Sequence, residues 1–175
     1  MELGRPSEAA RYFEKARDLD AGDWQAPYLL GLAEARAGHP EEAVEAYRTA
    51  LARNERLAEA HNNLAWLLAD LDLDPVLAEV HARRAAELQP ENANVLGTLG
   101  WAQYKNRLLP EASATLERAT ELSPSDPMKR YMLGVVLFHE GRRDQARREV
   151  RRALELDPDF ARASNARDLL RRLDG

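Results

Sequence analysis

The chain has 175 residues, 45% hydrophobic and 31% charged, with 25 Lys and Arg against 30 Asp and Glu and a net charge of −5. That composition suits one packed, soluble domain, and the absence of cysteine excludes disulfide and thiolate chemistry. The acidic balance gives no general attraction for nucleic acid or anionic lipid, and no apolar run approaches the ~20 residues that a membrane span needs.

Two alanine series mark the chain. Ala9, Ala43, Ala78, Ala112 and Ala146 recur at spacings of 34 or 35 residues, and Ala16, Ala50, Ala85, Ala119 and Ala153 follow seven residues behind. Small residues at i and i+7 share one helix face two turns apart. A period near 34 residues is that of stacked helix–turn–helix units. Residues 1–23 supply only a second helix, Leu3–Leu19, without its partner first helix. Four complete units are expected at 24–57, 58–92, 93–126 and 127–160, then a closing helix at 161–175. Its stripe of Ala163, Ala166, Leu169, Leu170 and Leu173, with arginines around it, suits a polar-backed end cap.

Each unit sets a leucine beside a small residue: Leu30-Gly31, Leu64-Ala65, Leu99-Gly100 and Leu133-Gly134. That pairing lets the two helices of a unit approach closely. Gly38 and Gly141 stop first helices in the left-handed conformation a C′ residue needs. Pro40, Pro75 and Pro110 open second helices, where a missing N–H costs little. Pro90, Pro124 and Pro158 follow the second helices of three units. Glu55 stands at that place in the 24–57 unit, so its second helix is expected to run on. The 58–92 unit holds one extra residue, placed in the turn Asp70–Pro75.

These positions resemble the tetratricopeptide repeat (TPR) family over essentially the whole chain. The carriers are Leu30-Gly31, Gly38, Ala43, Tyr47 and Ala50-Leu51, then Leu133-Gly134, Gly141, Ala146, Ala153-Leu154 and Pro158. The resemblance implies an all-α fold, a right-handed α-solenoid of antiparallel helix pairs, with no cofactor and no catalysis. It also implies a concave groove lined by first helices, where a peptide or helix of a partner protein lies. The groove residues it assigns are Tyr28, Leu32, Asn62, Asn63, Trp66, Asn94, Trp101, Tyr104, Lys105, Tyr131, Val135, Phe138 and His139. The aromatic members are expected to be partly exposed and to anchor an apolar or aromatic segment. The alternative is that they pack between first helices as core.

A chaperone C-terminal carboxylate is not the expected ligand, because Tyr28, Asn94 and Thr98 in one frame, and Asn62, Met128 and Met132 in the next, stand at places where the family's carboxylate clamp is basic. The histidines His39, His61, His81 and His139 are expected to stand apart, in different units, with no pair at metal-ligand spacing. Asp70, Asp72 and Asp74 look like the start of a calcium loop, but Pro75 and His81 stand where that loop needs Gly and Glu. The arginine run Arg142–Arg152 is interleaved with acids and reads as a self-paired face rather than a nucleic-acid patch. Two other readings of function remain. One is a self-associating (homo-oligomeric) or envelope/polysaccharide-export assembly scaffold, since Asn62–Trp66, Ala85, Pro90–Asn92 and Leu99–Trp101 are similar to repeats of bacterial exopolysaccharide-linked TPR lipoproteins. The other is a regulatory repeat region of a larger enzyme. The sequence leaves the compartment open between bacterial cytoplasm and periplasm, and the opening residues lack the apolar stretch of a secretory leader.

Overall fold

A computed structural model describes residues 23–160 and 162–175. The helix expected at Leu3–Leu19 lies outside them. The described residues are helices joined by short turns, with no strand among them. They are α1 (Gln25–Ala37), α2 (Pro40–Arg53), α3 (Ala58–Asp70), α4 (Pro75–Leu88), α5 (Ala93–Lys105), α6 (Leu109–Leu122), α7 (Pro127–His139), α8 (Arg143–Leu156) and α9 (Ala163–Asp174). They fall into two compact units, one ending at Leu88 and the other spanning Gln89–Gly175.

Within each unit every first helix packs on the second helix that follows: α1 on α2 and α3 on α4, then α5 on α6 and α7 on α8. Both alanine series of the second helices are sealed from solvent. Ala43, Ala50, Ala78, Ala85, Ala112, Ala119, Ala146 and Ala153 are all 0% exposed. Opposite them the small residues of the first helices allow one bulky side chain in. A Cβ on Gly31 would lie 2.6 Å from the Tyr47 ring, one on Gly100 2.5 Å from Leu116, and one on Gly134 2.6 Å from Val150. The 58–92 unit carries Ala65 instead of glycine. Counting through its extra residue, the α4 counterpart of Tyr47, Leu116 and Val150 is Ala82, itself buried. The added methyl at 65 is balanced by a smaller residue at 82.

The turns follow one geometry with different residues. Gly38 and Gly141 have φ of 82° and 79°. Asp72 (58°) and Arg107 (65°) take the same left-handed conformation at the same repeat position. That position is followed two residues later by the start of α2, α6 and α8, but three residues later by α4. The extra residue therefore lies at Leu73-Asp74, where Asp74 accepts a hydrogen bond from the Leu77 amide at 2.9 Å. Helix starts are capped periodically as well. Asp23, Asn92 and Asp126 each accept from amides two and three residues ahead, satisfying donors that a helix N-terminus leaves free.

One expectation fails. Helix α2 does not run on at Glu55. It ends at Arg53, with Asn54 in extended conformation (φ −143°, ψ 94°). The Asn54 side chain accepts from the Arg56 amide at 3.1 Å, so an Asx turn stops the helix where the other units use proline.

Candidate functional site

In the first unit the first-helix residues form a polar and aromatic network. Tyr47 of α2, 1% exposed, sits in the space Gly31 leaves, 6.0 Å ring to ring from Tyr28. The Asn63 side chain of α3 is close enough to both phenols to counter part of the effect of burial on their pKa values. Burial raises both phenol pKa values above the ordinary range. Asn62 stands 3.5 Å from Asn63, and its own Oδ1 is buried without a partner. Leu32 and Trp66 are half-buried on the same helices.

The histidine expectation is corrected here. His61 and His81 both belong to the 58–92 repeat, and their Nδ1 atoms lie 2.8 Å apart between α3 and α4. His61 Nε2 is 3.1 Å from the Glu55 carbonyl. A carbonyl only accepts, so Nε2 carries the proton, and His61 Nδ1 accepts from His81 Nδ1–H. Burial lowers the pKa of both rings. For His81 burial, the neighbouring His61 and the Arg48 charge bring it down to about 4; for His61 Arg84 adds to the effect. The signal was available: both residues fall in one repeat, one on each of its helices. Among the described residues no group of three metal-ligating side chains forms.

In the second unit the rings run in sequence. Trp101 packs on Tyr104 (centroids 5.0 Å apart), Tyr104 on His139 (5.4 Å), and His139 on the edge of Phe138 (5.4 Å, 82°). The guanidinium of Arg172, from α9, lies 4.8 Å from the Phe138 centroid. Tyr131 packs separately against Phe160 at 5.9 Å. Lys129, which sequence reasoning missed, is 5% exposed. Its stem crosses Gly97, and its ammonium donates to Asn94 Oδ1 at 2.8 Å and to the Asp126 carboxylate. Burial alone would raise the Asp126 carboxyl, but Lys129 and the first amides of α7 hold it below its usual range.

The aromatic expectation divides. Trp66, Tyr104 and Phe138 are half-buried, as expected, and His139 is exposed. Trp101, Tyr131 and Val135 are each only 8% exposed, so these three are core rather than open surface. Their burial has a local cause: Trp101 and Tyr131 find ring partners within their own unit. The indole N–H of Trp101 has no acceptor. Tyr28, Leu32, Asn62, Asn63 and Lys105 are half-buried, and Asn94 is exposed but engaged by Lys129.

The arginine run is mostly paired. Arg142 meets Glu140 and Glu117, Arg147 meets Asp144 and Asp174, Arg151 meets Asp174, and Arg152 meets Glu155.

Comparison with known proteins fits this geometry. The chain matches the tetratricopeptide repeat family at residues 1–51, 28–75 and 77–127, and a second model of the same repeat at 129–160. It therefore belongs to the tetratricopeptide repeat family. It is similar to a TPR repeat-containing protein of Pseudomonas aeruginosa, 28% identical over 178 residues, covering 94% of this chain and 28% of that one. It is also 30% identical over 146 residues to the type IV pilus assembly protein PilF of Pseudomonas aeruginosa, covering 82% of this chain and 56% of that one. The chain thus spans little more than half of one relative's length and under a third of the other's. Among solved structures it resembles MamA of strain AMB-1 (TM-score 0.77, 26% identity, 89% of this chain and 92% of that one). It also resembles TTC0263, a TPR protein of Thermus thermophilus (0.70, 25%, 98% and 90%). YrrB, a TPR protein with an unusual peptide-binding site, shares the fold at 23% identity (TM-score 0.77, 95% and 85%). The fold class is an all-α solenoid, and the repeats make the chain a protein–protein interaction scaffold. Among the described residues no helix is long and apolar enough to cross a membrane.

Proposed function

We propose that this scaffold is non-catalytic and binds a peptide or helix of its partner on the first-helix faces of its repeats, each unit offering its own face: apolar or aromatic partner residues lie against Trp66 in the first, or against Tyr104 and Phe138 in the second. The observation that carries this reading is the partial exposure of those three rings, all on first helices. Large aromatic side chains left half-open are favoured interface anchors. Panning a phage-displayed peptide library on the full chain tests it. Enriched peptides should bind Trp66→Ala or Tyr104→Ala, according to the unit they engage, at least about tenfold more weakly while helicity is unchanged. Peptides that bind both variants as well as wild type would overturn it.

A second reading, a self-associating or envelope assembly scaffold, is favoured by one observation. Leu71, Leu73, Val76 and Val80, at the α3–α4 turn and on α4, are 45–62% exposed, and such a patch is uncommon on a monomer. The named role of PilF in pilus assembly is in keeping with it. Light scattering over a concentration series decides this reading: a mass that stays at the monomer value ends the self-association branch.

A further inference from the structure

The ring series of the second unit ends at Phe138 in a cluster whose charged members the proposed anchors leave unused. Phe138 closes the last turn of α7, and two guanidiniums flank it: Arg172 of α9 at 4.8 Å from the centroid and Arg143 of α8 at 5.9 Å. Arg143 also donates from Nη2 to the Arg172 carbonyl at 2.8 Å, which ties the two residues together. Both arginines are exposed, as is His139 beside them. Among the described residues neither guanidinium has a carboxylate partner. The nearby acids are already engaged: Glu140 by Arg142, Asp174 by Arg147 and Arg151, and Asp168 by Arg171.

The charge is therefore local and unbalanced. The chain is acidic as a whole, yet residues 89–175 hold more basic than acidic side chains. A guanidinium presents five N–H donors in one plane. Stacking on a ring fixes that plane and removes water from one face, while the edge stays free for a planar acceptor. A carboxylate matches that edge with two parallel hydrogen bonds.

We infer that the Phe138 end of the second unit is a carboxylate-recognition site for an acidic partner segment: Arg143 and Arg172 take an Asp or Glu side chain, and the adjoining apolar or aromatic residue lies on Tyr104 and His139. This rests on the first-helix binding proposed above and adds to it the ligand's charge and its direction along the helix face. The acidic end lies toward α9, and the apolar end toward α5. The site differs from a clamp for a chain-terminal carboxylate, because its two cations come from a second helix and the closing helix.

Three blocked peptides test it on the full chain: Glu-Glu-Phe-Leu, Gln-Gln-Phe-Leu and Glu-Glu-Gly-Gly. Binding is read by nitrogen–proton NMR, including the arginine Nε–H signals. The Glu-Glu-Phe-Leu peptide should shift Arg143, Arg172, Phe138 and His139, and bind about tenfold more tightly than the glutamine version at low salt. Arg172→Gln and Arg143→Gln should each erase that preference with unchanged circular dichroism. Arg118→Gln, an exposed and paired arginine of the same unit, should leave it intact. Equal binding of the glutamate and glutamine peptides, retention of the preference in Arg172→Gln, shifts confined to other surfaces, or no binding by any peptide would overturn the inference. Equal affinity of the Gly-Gly version would overturn its apolar half. If the glutamine peptide binds through Tyr104 and glutamate adds nothing, the first-helix reading stands and the carboxylate site falls.

Discussion

The two units share a period and differ in what fills it. In the first, the interior positions between helices hold polar pairs: Asn63 with two tyrosines, and His61 with His81. Trp66, one of its two indoles, stays half-open. In the second, the counterparts of Asn63 and Tyr47 are Thr98, Met132, Leu116 and Val150, all buried, while the last repeat sets the Arg130–Glu149 ion pair (2.8 Å) where the 58–92 repeat has His61 and His81. Trp101, the counterpart of Trp66, is buried, and so are Tyr131, Met132 and Val135. The surface of the second unit is knitted by arginine pairs, and its one deep cation, Lys129, is neutralised by Asp126. An identical backbone repeat therefore leaves the chemistry of each unit to side chains that the repeat does not specify.

The largest way to test this contrast is to truncate the two indoles. Trp101→Ala should destabilise the second unit by about 3–5 kcal/mol in urea unfolding, as for a core aromatic. Trp66→Ala should cost clearly less. Trp101→Phe should cost less than Trp101→Ala, because it keeps a buried ring in place while removing an indole N–H that lacks an acceptor. Equal losses at 66 and 101 would erase the distinction.

Acid should act on the first unit. The folded pKa values of His61 and His81 lie below the free imidazole value, so the fold stabilises the neutral pair. That contribution is complete above about pH 6.5 and is lost as the pH falls toward 4. For His81, allowing for its partial exposure, the loss is about 2 kcal/mol. It should appear as a fall in urea midpoint between pH 7 and pH 4.5 that is smaller in His81→Asn. If wild type and variant decline in parallel, the pair does not couple to folding.

A methyl group gives a finer comparison. Gly134→Ala sets a Cβ 2.6 Å from Val150 and should cost about 1–3 kcal/mol through overpacking. The matching position in the 58–92 repeat already carries that methyl, as Ala65, against Ala82. The double variant Gly134→Ala, Val150→Ala should recover part of the loss, measurable as a double-mutant cycle. The smallest effect is expected at Arg152→Gln, an exposed pair with Glu155. Its unfolding free energy should change by less than about 0.5 kcal/mol.

Much of this was legible in the residues. Alanine spacing, turn prolines and the leucine–small pairs placed the helix pairs, because each reflects a local rule of helix geometry or a close approach between two helices. The two glycine turns were legible for the same reason. Asp72 and Arg107 were not, since neither residue type announces a positive φ. The site was less readable. Its helix faces followed from the 3.6-residue period, but exposure did not. Trp66 and Trp101 occupy one repeat position, and periodicity treats them alike. Tyr104 beside Trp101, and Phe160 beside Tyr131, decide which ring is sealed. Lys129 escaped notice, and Arg172 read only as part of a solvated, self-paired face, because a charged residue reads as solvated until its partners are known.

The sequence by itself determined the repeat, its length and the small residues at which paired helices touch, because those depend on contacts at fixed short separations. Tertiary structure alone decided which rings face solvent, which histidines meet and which arginines lack a carboxylate. Each of those outcomes depends on side chains brought together from separate helices, and their distances are set by packing rather than by spacing along the chain.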